Sequence, residues 1–202
     1  MTEKERMLAG KLYKASDPEL EADHLRKWEL IRLINAEPDR QKLPGLFREL
    51  LGALGEDSWI EPPFHCDYGP HIHIGKHFYA NCDCIFLDVC DITIGDDVFI
   101  APRVCIFTAT HPIDAGVRNA ELEFGRPVKI GSSVWIGGNT VVNPGVTIGD
   151  DVVIGSGSVV TKDIPSHVIA AGNPCRVLRP IREDDRLYWE AQAAQYGRDR
   201  QG

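Results

Sequence analysis

The chain has 202 residues, 43% of them hydrophobic and 26% charged, a globular balance that argues against extended disorder. Asp and Glu total 30 against 22 Lys and Arg, so the net charge is -8 and a general affinity for nucleic acid or anionic membrane is excluded. No apolar run approaches the roughly 20 residues of a membrane span, and Met1-Thr2-Glu3-Lys4-Glu5-Arg6 has no basic stretch leading into an apolar one, which points to the cytoplasm.

Residues 1–57 read as a helical subdomain. Asp17-Pro18-Glu19 is a helix start: a capping residue, Pro in the first turn, then an acid at the positive end of the dipole. Leu20, Leu25, Trp28, Ile31, Leu33 and Ile34 follow at mostly helical spacing, and the helix should end near Asn35, before Pro38. A second helix is predicted after Pro44, with Leu46, Phe47, Leu50, Leu51 and Leu54 on one face and Gly55 at its end.

Residues 58–180 follow a different rule. From Ile130 six hexads run without a break, opened by Ile130, Ile136, Val142, Ile148, Ile154 and Val160. Gly, Asn or Thr follows each opening residue, and Val134, Thr140, Val146, Val152, Ser158 and Ile164 sit four places on. The register also holds at Ile94, Ile100 and Ile106, and with a two-residue offset at Ile74, Ala80 and Phe86. Six residues fit one short extended segment and one corner, so the period describes a coil whose aliphatic residues point inward. A single coil cannot bury its apolar side, so coils must stack. Gly or Asn beside the aliphatic is expected to supply the backbone angles of a corner.

One excursion interrupts the pattern: after Thr108-Ala109-Thr110-His111 come the 18 residues 112–129 before Ile130 resumes in phase. A loop of that length inside a compact domain is usually functional. Residues 181–202 form a tail, with a short helix expected from Glu183 to about Ala194 and a frayed end from Arg198. Arg176, Arg179, Arg182 and Arg186 form a basic run on an otherwise acidic chain. Cys66, Cys82, Cys84, Cys90, Cys105 and Cys175 are read as free, packed thiols, the default in a reducing compartment.

The hexads resemble the left-handed parallel β-helix of the hexapeptide-repeat acyltransferases, a mainly β fold. Ala9-Gly10-Lys11-Leu12-Tyr13, Glu61-Pro62-Pro63, Asp67-Tyr68-Gly69, Phe78-Tyr79-Ala80-Asn81, Thr108-Ala109-Thr110-His111-Pro112-Ile113, Asn143 to Asp150 and Val160 to Pro165 are similar to the maltose and galactoside O-acetyltransferases, the maltose enzymes especially. That resemblance implies a homotrimer with sites between subunits, acetyl-CoA as donor, a sugar hydroxyl as acceptor, and no metal. It matches His111 to the general base and Asn81 to a donor near the reacting centre. Asp17, Asp67, Asn81 and Asp88 match the acceptor side. Gly138, Ser156, Thr161, Lys162, Arg176 and Arg179 match the acetyl-CoA side, with Trp135 as a wall of the donor channel. No Cys matches a nucleophile, so transfer is expected to be direct, in a ternary complex. Three rivals remain at this stage. One is a relative acting on an antibiotic or a serine hydroxyl. Another is a zinc enzyme like the γ-type carbonic anhydrases, drawing on His65, His71, His73 and His77. The last is a non-enzymatic scaffold.

Overall fold

A six-residue aliphatic period buries its side chains only if equivalent positions lie above one another, and the computed structural model, described over residues 1–200, has that stacking. Leu54, Ile74, Ile94, Ile130 and Ile148 are partners across one parallel sheet of five strands. Ile60, Ala80, Ile100, Ile136, Ile154 and Ala170 do the same on a second face. Cys66, Phe86, Ile106, Val142 and Val160 line the third. The chain visits the three faces in turn, so each circuit is a triangular coil with three corners. The residues four places on in each hexad, Val134, Thr140, Val146, Val152, Ser158 and Ile164, are all buried. Thr140 and Ser158 are tolerated inside because their hydroxyls donate to the carbonyls of Gly137 and Gly155.

The corner chemistry differs from the sequence expectation. The left-handed backbone angles fall two residues after the aliphatic and its glycine, at Asp97 (φ 57°) and Ser133 (φ 57°). The glycine itself answers to crowding: a Cβ on Gly95 would lie 2.8 Å from the backbone of Gly131 in the next coil.

The helices close the end of this prism. Helix α1 spans Glu3–Leu8, capped by Thr2 with Glu5 reaching back. Helix α2 spans Pro18–Ala36 with Asp17 as its cap, as the sequence suggested. Only its stripe of Leu20, Leu30, Ile31 and Ile34 is buried, while Leu25 is 68% and Trp28 65% exposed, because the coil covers one narrow side of the helix. Helix α3 spans Leu43–Leu50 and stops short of the expected end. Leu51 is already extended, Leu54 opens the first coil, and Gly55 lies against Gly75 of the coil below. Phe47 meets Phe64 edge-on at 5.6 Å, so the helical cap and the coil share one core. Between α1 and α2 the chain is an extended strap, a segment the sequence reading had treated as helical.

The excursion is shorter and more ordered than a free loop. Strand pairing resumes at Val128, and the segment before it holds helix α4, Ala115–Asn119, and a strand, Leu122–Gly125. That strand sits between Ala109–Thr110 and the strap strand Tyr13–Lys14 in a three-stranded sheet. At the other end, Arg176–Pro180 turns back antiparallel on Val168–Ala171, and helix α5 runs from Glu183 to Asp199. Helix α5 exceeds the expected end at Ala194 because Arg186 pairs with Glu183 and Glu190 while Gln195 bonds Asp199. Of the end expected to fray, Arg198 and Asp199 are helical, whereas Gln201 and Gly202 lie outside the described residues. No described helix is long and apolar enough to cross a membrane.

Ile136 is fully buried between Ile100 and Ile154. Ile136→Ala should cost about 2–5 kcal/mol, read by chemical denaturation; a loss below about 1 kcal/mol would mean the stacked column does not carry the stability.

Candidate active site

The third corner, where the chain passes from the third face to the first, gathers the polar chemistry. In successive coils it is built by residues 67–71, 88–91, 108–127, 143–146 and 161–163. Asp88 is completely buried there. Its Oδ1 accepts from the amides of Asp67 (3.0 Å) and Tyr68 (2.8 Å), and its Oδ2 from Gly69 (2.7 Å). Expected on the acceptor side, Asp88 instead spends its carboxylate on the turn that carries Asp67. His71 adds a bond between its Nδ1 and the Asp88 carbonyl at 2.6 Å.

Asp67 is half-buried on that turn. Burial first, then the nearby Asp88 charge, pushes its pKa up to about 6. Tyr13 and Tyr68 stand beside it, both buried, and both phenols are pushed up, first by burial and then by surrounding carboxylates.

His111 begins the excursion. Its ring lines a cavity of about 390 Å³ together with Ala15, Ser16, Arg118, Glu121 and Glu123. The imidazole Nε2 is 3.9 Å from Oε2 of Glu123, too long for a hydrogen bond but within close electrostatic range. Arg118 donates to the carbonyls of Pro112 (2.9 Å) and Ile113 (3.0 Å), locking the chain just past the histidine. Thr108 donates to Leu87 O and accepts from Cys90 N, fixing the chain just before it. Asp17 caps α2 through Oδ1 to the amide of Glu19 (3.0 Å), next in sequence to Ser16 in the cavity wall.

Asn81 is elsewhere. It sits at the second corner, between the second and third faces, one position before the column that holds Gly138 and Ser156 in later coils. Its Oδ1 accepts from Cys82 N at 2.8 Å, which leaves the amide hydrogens of Nδ2 available to donate. Gly138 is half-buried against Pro102, and a Cβ there would lie 3.1 Å from the Pro102 carbonyl. Trp135 is 49% exposed on the second face, beside Phe99. Thr161 and Lys162 return to the third corner, two coils beyond His111. Arg176 and Arg179 lie on the returning strand; Arg179 forks onto Asp185 at 2.6 and 2.9 Å, whereas Arg176 bonds only its neighbour's carbonyl, that of Cys175.

The single chain thus unites His111, Asp67 and Asp88 at one corner and Asn81, Gly138 and Ser156 at another, a face apart. Sequence reasoning missed Glu123 and Tyr13, which cross-strand pairing with no repeat signal brings to the site. All six thiols are free, and none lines the His111 cavity. The histidines weighed for zinc diverge. His71 binds the Asp88 carbonyl, His65 and His73 sit on two different faces, and His77 lies between Asp57 and Asp97 at the first corner. No metal-holding group of His, Cys, Asp and Glu occurs among the described residues.

Comparison with known proteins defines the class. The family model "Bacterial transferase hexapeptide (six repeats)" matches residues 127–162, and "Maltose acetyltransferase hexapeptide capping motif" matches residues 6–55. The stacked coil with its helical cap is therefore that of a hexapeptide-repeat transferase. The chain is 44% identical over 187 residues to the galactoside O-acetyltransferase of Escherichia coli K12, covering 92% of each. It is 51% identical over 178 residues to Nodulation protein L of Rhizobium meliloti, covering 87% of this chain and 97% of that one. A solved maltose O-acetyltransferase from Clostridium difficile 630 superposes with a TM-score of 0.89 at 54% identity, over 91% of this chain and 99% of that one. A solved galactoside acetyltransferase in complex with coenzyme A also gives 0.89, at 44% identity, over 92% and 94%. The chain belongs to the galactoside and maltose O-acetyltransferase family of hexapeptide-repeat acetyltransferases.

The raised pKa of Asp67 sets a pH dependence. Its folded value of about 6 lies above the unfolded value near 4, so the native state binds more protons between them and stability falls as pH rises through that window. Asp67→Asn should remove this part of the fall, measured as Tm against pH; parallel curves for the two proteins would contradict it.

Proposed function

We propose that the protein transfers the acetyl group of acetyl-CoA to a hydroxyl of a sugar, with maltose or glucose as the model acceptor, in the cytoplasm. The observation that carries the reading is His111, locked on both flanks and facing a cavity opposite Glu123. A sugar hydroxyl is a poor nucleophile until its proton is taken as it attacks. The imidazole takes that proton while the oxygen attacks the thioester carbonyl, then returns it to the departing thiolate. Glu123 stabilises the imidazolium formed in between.

The oxyanion that develops needs a fixed donor, and Asn81 has the orientation for it because its carbonyl end is held by Cys82. Asn81 and His111 belong to different corners of one chain, so the reading requires a second copy. A homotrimer with sites between subunits meets that need. The exposed apolar positions Phe99 and Trp135 on the second face, and the half-buried Ile85, Cys105, Val141 and Val159 on the third, suit self-association.

The donor is long and anionic. Coils about 4.8 Å apart set Asn81, Gly138 and Ser156 as a track down the second corner, three coil steps and about 14 Å in length. Trp135 flanks it, Thr161 and Lys162 approach from the third corner of a neighbouring copy, and Arg176 with Arg179 is assigned to the nucleotide phosphates. Asp17 and Asp67 are assigned to the acceptor, with Asp88 acting on it through the turn. Free thiols, none of them in the wall of the His111 cavity, support direct transfer and suit a reducing compartment.

His111→Ala should lower kcat by about 10²–10⁴-fold with folding and assembly intact, followed by thiol release from acetyl-CoA over a panel of maltose, glucose and galactosides. Turnover within tenfold of the parent would remove the imidazole from the reaction. Arg176→Ala should raise KM for acetyl-CoA several-fold more than KM for the sugar; equal effects on both would take Arg176 out of the donor site.

A further inference from the structure

The strap between α1 and α2 is paired with the strand that carries Glu123. Tyr13 and Glu123 are directly opposed partners in the antiparallel pair that joins the strap to the excursion strand. Directly opposed residues of such a pair project on the same side of the sheet, with Cβ atoms about 5 Å apart. Tyr13 is 1% exposed, walled in by Met7, Leu20, Tyr68, Val89 and Cys90. Its ring therefore has little freedom to turn to solvent, and its cross-strand partner Glu123 lies close enough to act on the phenol. Burial and the carboxylates of Glu123 and Asp67 push the phenol up, so it stays a proton donor across the working range.

The strap is itself fastened. Lys14 N donates to Glu3 at 2.6 Å, Arg6 Nε donates to Leu12 O at 2.6 Å, and the Cys90 thiol donates to Met7 O at 3.3 Å. Gly10, at φ 67°, passes so close to the excursion strand that a Cβ would lie 3.0 Å from Gly125 O. This arrangement is separate from the cluster around Ile34 and Phe47 that caps the coil's core. It does define where Glu123 stands relative to His111.

We propose that Tyr13 is a positioning residue for the acetyl transfer: its phenol donates a hydrogen bond to Glu123 and fixes the carboxylate that faces His111. No proton passes through the phenol. It removes the conformational freedom of a long acidic side chain that must meet the imidazolium in one geometry. The inference rests on the assignment of His111 as the base and extends that site to the N-terminal strap.

The test is a double-mutant cycle in the full-length protein, with acetyl-CoA and the best acceptor of the sugar panel, comparing Tyr13→Phe, Glu123→Gln and the double variant. Tyr13→Phe keeps the ring and removes only the hydroxyl. It should lower kcat about tenfold, the worth of one hydrogen bond to a charged group, with KM for acetyl-CoA within twofold of the parent. In the Glu123→Gln background the same change should have no further effect, because the group it positions is gone. Multiplicative losses in the double variant, or an unchanged kcat in Tyr13→Phe, would overturn the proposal. Met7→Ala loosens the same cluster without touching the phenol; it should lower Tm and leave kcat alone, and an equal fall in kcat would make the effect one of packing and overturn the assignment. His111→Ala separates the two levels. If it is active, the base assignment fails; if it is inactive while the cycle is multiplicative, only the role of Tyr13 fails.

Discussion

Every other feature depends on the register in which one coil sits on the next. An aliphatic side chain recurs every sixth residue and must lie over its equivalent, so each face is a parallel sheet and each corner becomes a vertical column. The glycine beside the aliphatic exists because the coils approach closely, not because the backbone turns there. Since the faces must stay paired, an insertion is tolerated only at a corner and only if the chain re-enters in phase. The excursion between Thr108 and Val128 does so, with Val128 pairing with Ile92 of the preceding coil. Columns also explain how residues distant in sequence, such as Asn81, Gly138 and Ser156, come to share one edge.

The coil and its inward positions were legible because a six-residue period is a global signal that survives substitution at single hexads, as with Thr140 and Ser158. His111 was legible because it stands where the period breaks, within the Thr108 to Ile113 motif that resembles the acetyltransferases. The site's supporting residues were not. Tyr13 meets Glu123 through one antiparallel pair between a strap and an excursion, and such a pair leaves no repeat to read. The helical pattern of α2 overstated the buried face: Leu25, Trp28 and Leu33 match the spacing yet stand in solvent, since a coil end offers a single stripe of contact. The second predicted helix ran past its true end because Leu51 and Leu54 continue an apolar pattern while the backbone has already become extended. Asp88 was readable as a carboxylate near the site, but not as one already committed to three backbone amides.

The electrostatics of the third corner follow from crowding several acids beside two imidazoles, His71 and His111. Asp88 has its carboxylate satisfied by three backbone amides, Asp67 is pushed toward its protonated form, and Tyr13 and Tyr68 are held as phenols. Glu123 is left as the carboxylate nearest His111. The family resemblance supplies the reaction class and the matched roles of His111 and Asn81; the supporting roles of Glu123 and Tyr13 come from these contacts.

The account turns on a composite site, with His111 from one copy and Asn81 from another. Mixing decides it. Inactive His111→Ala and Asn81→Ala proteins, unfolded together in equal amounts and reassembled, should regain about one quarter of parental activity, since in a random three-fold ring about one interface in four pairs an intact histidine with an intact asparagine. Activity no higher than that of the two variants assayed apart would contradict the composite site and the assembly built on it.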